Sequence, residues 1–389
     1  MGIIVQKYGG TSVSSIEKIK KIAENIYKTK KKGHEVVVVV SAMGNTTNEL
    51  LDMASEITDT PDRRELDMLL TTGERQTISL LSIALKNLGQ DAISLTGSQS
   101  GIITNTVHNK AKILEVRPYR IEDAINESKI VIVAGFQGVS YLKEITTLGR
   151  GGSDTTALAL TAALNALYCE IYSDVDGVFS ANPKVVKLPE KLDEISYDQM
   201  LAMSENGAKV LAADAVRFAK HYKIKLYSKN AFKSGEGTFI TDEAIMKTIV
   251  AVTSEENIIV LTMKKSNLER LLIWLMEADI FYKEVWQTED DITFIFDKTD
   301  IQDEAYFLGW LDRCEVEYFS DRGKVSLIGN KLYEDPMLLI EANNILDKYK
   351  IKTYGFNLRD LTASFIVDKD RVEELVNFFH KEFIATSTK

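Results

Sequence analysis

Four largely apolar runs, at residues 3–6, 36–40, 130–136 and 170–173, each followed by a glycine-rich or turn-prone segment, constrain the fold most strongly. Strands that alternate apolar and polar residues have one wet face; runs without alternation are covered on both faces. Amphipathic helical patterns separate these runs, as a mainly parallel sheet with helices on both sides requires. The expected fold is therefore α/β, with a three-layer αβα domain in the N-terminal part. In such sheets ligands bind beyond the carboxyl ends of the strands, so the loops after these runs are where chemistry is sought.

From about residue 250 the pattern changes. A βαββα unit occurs twice, first as strand 258–263, helix 267–280, strands 282–287 and 292–296 and helix 303–312. The second copy reads strand 325–328, helix 336–349, strands 353–357 and 363–367 and helix 371–383, the split-βαβ pattern of ferredoxin-like domains. A single hydrophobic core stops growing at roughly 250–300 residues, so 389 residues call for more than one domain. The expected division is 1–245, 250–320 and 321–389, with the boundary in the segment 233–242.

Composition narrows the class. The net charge of −10 falls almost wholly in residues 251–389, which argues against nucleic-acid binding there. No apolar run approaches the roughly 20 residues of a membrane helix, and residues 1–10 lack a secretory signal pattern. A cytoplasmic protein without nucleic-acid or membrane partners is expected. Cys169 and Cys314 are far apart, which suits a reducing compartment and apolar filling roles.

Three loops carry candidate chemistry. The first, Lys7, Tyr8, Gly9, Gly10, Thr11 and Ser12, lies between a strand and a helix that Ser14 and Glu17 could open as a capping box. Glycines expose backbone N–H groups, the helix dipole favours negative charge and Lys7 adds a cation, which together suit phosphate. The spacing is not that of a Walker A loop, and a tight turn with a solvated lysine is the plain alternative. The second, Gly149, Arg150, Gly151, Gly152, Ser153 and Asp154, precedes an apolar helix at 156–167. Arg150 offers a planar fork for carboxylate or phosphate, while Ser153 or Asp154 either caps the helix or does chemistry. The third runs from Ser173 and Asp174 through Asp176, Gly177 and Phe179 to Lys184; it is a turn or a ligand loop, and lacks the EF-hand spacing for calcium.

Taken together, KYGGTSV, SAMGNTTNELL, TTGERQTISLL, TTLGRGGSDTTA, SDVDGVFSANPK and NGAKVL resemble, in order, the motifs of aspartate kinases of the amino-acid kinase superfamily. The resemblance covers the whole chain, because such enzymes follow the kinase domain with two ferredoxin-like βαββαβ ACT domains. It implies transfer of the γ-phosphoryl group of ATP, with Mg²⁺, to the side-chain carboxylate of L-aspartate, the first step towards lysine, threonine and methionine. Position by position it implies Lys7 and Asp154 as catalytic, Lys7, Gly9 and Gly10 as the phosphate cradle with Ser41 beside it, and Tyr8 among the ATP-binding residues. Thr47, Glu74, Arg150, Gly151, Gly152 and Ser153 would bind aspartate, with Arg150 on the α-carboxylate and Glu74 on the α-ammonium. Ser173, Asp174, Phe179, Lys184 and Lys209 would hold the nucleotide. No protein-bound metal set is implied. A β-carboxylate with a reference pKa of about 3.9 is already an ionised nucleophile, so no catalytic histidine is needed.

The C-terminal copies depart from that pattern. The family places Pro-Gly before the first ACT helix, whereas here the first copy reads Met-Lys-Lys-Ser-Asn-Leu-Glu from Met263 and the second has Pro336 without a following glycine. Binding of lysine or threonine as an effector is thereby left open. Exposed edges of small sheets lead to an expected homodimer or larger homo-oligomer.

Overall fold

The structure is a computed structural model that describes residues 2–149, 151–233, 235–301, 303–314 and 316–385. It divides into two compact units. One comprises residues 1–178, 191–204 and 209–245; the other comprises 179–190, 205–208 and 246–389. The division is thus not a single point in the chain, because two short segments of the N-terminal sequence group with the C-terminal part.

In the first unit, Tyr168–Ser173, Ile3–Tyr8, Glu35–Val40 and Ile130–Ala134 are consecutive interior strands of an eight-stranded sheet. Every pairing among these four is parallel. Val36 to Val40 and Ile130 to Ala134 are all fully buried, which explains the loss of alternation in their sequence. The helix Ile16–Lys31 packs Ile19, Ile22 and Ile26 into the core on one face. Its N-cap is Ser15, whose hydroxyl accepts from Lys18 N at 3.3 Å. Ser14 instead bonds Thr11 O, so the cap falls one residue later than the expected Ser14–Glu17 box.

The second helix of interest also starts elsewhere than its sequence suggests. It spans Gly152–Ala163 and is capped by Gly151 in the left-handed conformation, φ 75°, which favours glycine. Ser153 and Asp154 therefore sit inside the first turn rather than capping it. Cys169 is a buried apolar filler, whereas Cys314 is only half-buried.

The C-terminal unit is built on one continuous six-stranded antiparallel sheet. Two strands longer than the sequence suggests cross both halves of it. Ile249–Lys264 pairs through residues 258–264 with Asp291–Asp297, while Glu317–Gly329 pairs through 322–328 with Thr362–Asp368. The two long strands also pair with each other along most of their length, with register shifts near residues 255–260. In consequence Val252, at the start of the first long strand, packs into the core of the second copy with Val325, Leu338 and Phe365. Ile259 and Leu261, a turn of chain later, pack into the core of the first copy with Leu271 and Phe307. The two copies interlock through these strands instead of following one another as beads. No helix among the described residues is long and apolar enough to cross a membrane.

Candidate active site

At the carboxyl end of the parallel sheet the loops are knit together by their backbones. Ser41 N donates to Tyr8 O at 3.2 Å and Gly44 N to Gly10 O at 3.0 Å. A Cβ at Gly10 would lie 2.9 Å from Ala42 O, so the contact between the first and second loops requires glycine there. Lys7, the penultimate residue of its strand, reaches over Gly9 and forms an ion pair with Asp154 at 2.6 Å, both side chains 13% exposed. The neighbouring Ser153 meets the hydroxyl of Ser41 at 3.0 Å. Asp154 and Ser153 are placed by the first turn of the Gly152–Ala163 helix, whose positive end faces these groups.

Glu74 comes from the long helix Arg63–Asn87, which Asp62 caps by accepting from Arg64 N and Glu65 N. Residues 67, 74 and 81 recur at two-turn intervals and all point inward. The helix approaches the second loop at Gly73, which lies against Ala42 and Thr46. Glu74 is 3% exposed; its Oε1 accepts from Ala42 N at 3.1 Å, and its Oε2 has no hydrogen-bond partner among the described residues. Burial pushes its carboxyl up to about 7, against the opposing pull of the Glu74 and Ala42 backbone N–H groups.

The structure therefore brings Lys7, Gly10, Ser41, Glu74, Ser153 and Asp154 into one connected set. Gly9 and Gly152 belong to the same loops. Thr47 lies half-buried in the first turn of the Thr46–Ser55 helix that follows the second loop. Tyr8 contributes its backbone only: its ring is fully buried, stacked on Tyr172 at 4.5 Å. The Arg150 expectation lies outside the described residues.

The nucleotide-side residues fall into three places. Ser173 ends the Tyr168–Ser173 strand and the exposed Asp174 follows it, where Asn230 donates to Asp174 O and to Asp176. Lys209 is exposed, in the irregular segment before the Ala213–His221 helix. Phe179 and Lys184 belong to the C-terminal unit.

Two supporting networks carry no sequence motif. Asp67, fully buried, accepts from Asn109 N and Thr147 Oγ1 and meets His108 Nδ1 at 2.6 Å, fixing the 108–109 turn. Gly149 lies against that turn, so Asp67 acts on the second glycine loop through it. An acid seven residues before Glu74, on the helical face that carries Leu70, Ile78, Leu81 and Leu85 inward, is the signal that could have revealed it. Beneath the first and third loops, Glu170 is held by Gln6 Nε2 at 2.7 Å, Tyr172 OH at 3.0 Å and Lys229 Nζ at 3.3 Å.

A cation beside glycine loops, a helix N-terminus and a buried carboxylate with an unmatched oxygen together suit two anionic reactants, one of them bearing an ammonium group. Comparison with known proteins gives the same direction. Residues 2–230 match the model of the Amino acid kinase family. The chain is 39% identical to the aspartokinase of Geobacillus stearothermophilus over 98% of this chain and 97% of that one. It is 41% identical to aspartokinase 2 of Bacillus subtilis, over 98% of each. The chain belongs to the aspartokinases of the amino acid kinase family. The enzyme is thus a phosphotransferase with a carboxyl group as acceptor. Its fold matches Escherichia coli aspartokinase III in complex with aspartate and ADP, TM-score 0.82, 22% identity, 97% of this chain and 99% of that one. The same E. coli protein in complex with lysine and aspartate matches with TM-score 0.82, 23% identity, 98% and 99%.

Proposed function

We propose that the connected set at the sheet's carboxyl end binds ATP and L-aspartate and transfers the γ-phosphoryl group to the β-carboxylate. The observation that carries this reading is the linkage of Lys7–Asp154, Ser41–Ser153 and Ala42–Glu74 across three loops. Glu74 Oε2 receives the α-ammonium of aspartate, and Arg150 takes the α-carboxylate. The β-carboxylate is ionised at neutral pH, so its oxygen attacks the γ-phosphorus directly. That bond forms as the bond from the γ-phosphorus to the β,γ-bridging oxygen breaks, and ADP leaves with the electron pair. Lys7 and the backbone N–H groups of Gly9 and Gly10 neutralise the transferring group, and the loops hold both anions in line. Ser173, Asp174, Phe179, Lys184 and Lys209 hold the rest of the nucleotide.

The described residues contain no cluster of three or more ligating side chains. One carboxylate such as Asp154 with nucleotide phosphates is the usual donor set for Mg²⁺, so the residues fit a nucleotide-borne ion, which supplies charge neutralisation. On the same reading the product feeds lysine, threonine and methionine synthesis in the cytoplasm. The C-terminal copies then serve as ACT domains spanning about 250–320 and 321–389, open to lysine or threonine as effector and to homodimerisation.

The test is hydroxylamine trapping of acyl phosphate with ATP and Mg²⁺ against L-aspartate, L-glutamate, N-acetyl-L-glutamate and carbamate. Aspartate alone should give hydroxamate, and Lys7→Ala should lose it while folded. Equal turnover by that variant would overturn the site assignment.

A further inference from the structure

The Arg63–Asn87 helix buries two acids, Asp67 and Glu74, two turns or about 10 Å of helix axis apart. Glu74 keeps one oxygen unmatched among the described residues, whereas Asp67 is matched on both. Its Oδ1 accepts from Thr147 Oγ1 at 2.5 Å and from Asn109 N at 3.2 Å, and its Oδ2 lies 2.6 Å from His108 Nδ1. Both arms lead to the second glycine loop. Thr147 ends the Ile145–Thr147 strand, two residues before Gly149, and its O accepts from Ala111 N at 2.8 Å. It is paired with Gln137, whose side-chain amide donates to Thr71 O at 3.2 Å, between Asp67 and Glu74 on the same helix. Asn109 stands at φ 65°, in the left-handed region, which costs free energy in a residue with a side chain and persists where the surroundings hold it. Its O faces Gly149 so closely that a Cβ there would lie 3.1 Å away.

Filling this part of the core requires only an apolar side chain. A carboxylate with no exposure is costly unless its oxygens are hydrogen-bonded, so the acid needs a reason beyond volume. What it adds is direction, because it gathers a strand end and a strained turn onto one point of a helix. Two turns further on, the same helix delivers Glu74. The separation between Glu74 and the second glycine loop is therefore set by a rigid element and not by the loop itself. A ligand gripped at both places needs that separation held within about 0.5 Å.

We infer that Asp67 is a positioning residue that sets the spacing between the two anchors of the amino-acid substrate, and so makes the site selective for a ligand bearing both an ammonium group and an α-carboxylate. This rests on the assignment of Glu74 to the ammonium and of the second glycine loop to the α-carboxylate. Asp67 acts through Thr147 and Asn109 on the grip of the substrate's head, and leaves nucleotide binding alone.

The experiment is steady-state kinetics of the full chain with L-aspartate, ATP and Mg²⁺, with 3-aminopropanoate as a ligand competing with aspartate. That compound keeps the ammonium and lacks the α-carboxylate, so it uses one anchor and is indifferent to their spacing. Asp67→Ala should raise the KM for aspartate about tenfold, the loss of charge-assisted hydrogen bonds, while the KM for ATP and the inhibition constant of 3-aminopropanoate stay within about twofold. Asp67→Asn keeps an acceptor for Thr147 and Asn109 and should recover most of the affinity. Thr147→Val deletes one arm at nearly constant shape, should raise the KM for aspartate about fivefold, and serves where Asp67→Ala does not fold. Equal weakening of aspartate and 3-aminopropanoate would mean general damage to the site and would overturn the inference. Glu74→Gln is the control for the underlying assignment. A raised KM for aspartate in Glu74→Gln, with unchanged values in Asp67→Ala and Thr147→Val, would overturn the inference and leave the assignment standing. An unchanged KM in Glu74→Gln would overturn the assignment and the inference with it.

Discussion

Glu74, buried beside the glycine loops, and Glu284, half-buried in the C-terminal sheet, are both carboxylates drawn out of water, and they end in opposite states. Burial pushes both up. At Glu74 nothing reverses it, and the carboxyl stands at about 7 with Oε2 unmatched. At Glu284 the Lys324 ammonium at 2.5 Å and the Asn357 amide at 3.0 Å more than reverse it and hold the carboxyl below its usual range. Lys324, 1% exposed, also meets Glu255 at 2.6 Å, and Glu255 pairs in turn with Lys283. The difference teaches how to read buried charge. A group matched on every side is architecture, whereas one held unmatched against its own solvation is kept for a ligand.

That contrast can be broken at either end. Lys324→Met strands two carboxylates in the sheet and should destabilise the C-terminal unit by about 3–5 kcal/mol in denaturant titration. A loss under about 1 kcal/mol would show the cluster is not the matched structure claimed. On the proposed role of Lys7 at the transferring group, Lys7→Ala should lower kcat by about 10²–10³ with little change in melting temperature. Large destabilisation instead would make Lys7–Asp154 a structural pair like those around Lys324.

Glu74→Gln sharpens the comparison through pH. On the proposed reading the ammonium of aspartate requires the ionised carboxyl, so the wild-type KM for aspartate should fall about tenfold from pH 6 to pH 8, as a group titrating near 7 demands. In Glu74→Gln the profile should be flat and the KM higher. Stability has the opposite sign. Because the folded carboxyl titrates above its unfolded value of 4.5, its stabilising contribution is complete below 4.5 and lost as pH rises through about 7. The glutamine variant without substrate should therefore gain on wild type over that window, by at most about 3 kcal/mol above it. The smallest effect is expected for Asn357→Ala, about 1 kcal/mol at neutral pH. Glu284 titrates low, so that gap should narrow as pH falls through the carboxylate range.

Much of the first unit was legible because its signals are local. The runs at 3–6, 36–40, 130–136 and 170–173 are four consecutive interior strands, and Lys7, Ser41, Glu74, Ser153 and Asp154 meet. Helix starts were misplaced by a residue or more at Ser15 and Gly151, because a serine or aspartate near a start looks like a cap whether or not it reaches a free N–H. Asp67 was passed over because its partners, His108, Asn109 and Thr147, lie 41–80 positions away.

By itself the sequence determined the period of each segment, the order of strands and helices, the glycine loops and the chemical types gathered at them, since these depend on neighbours within a few residues. Only the tertiary structure decided how the two long strands share themselves between two cores, that segment 179–190 belongs with the C-terminal unit, and which buried charges find partners. Those outcomes turn on pairings between residues far apart in the chain, such as Ser180 and His380, and on the desolvation that packing imposes, neither of which leaves a local periodicity to read.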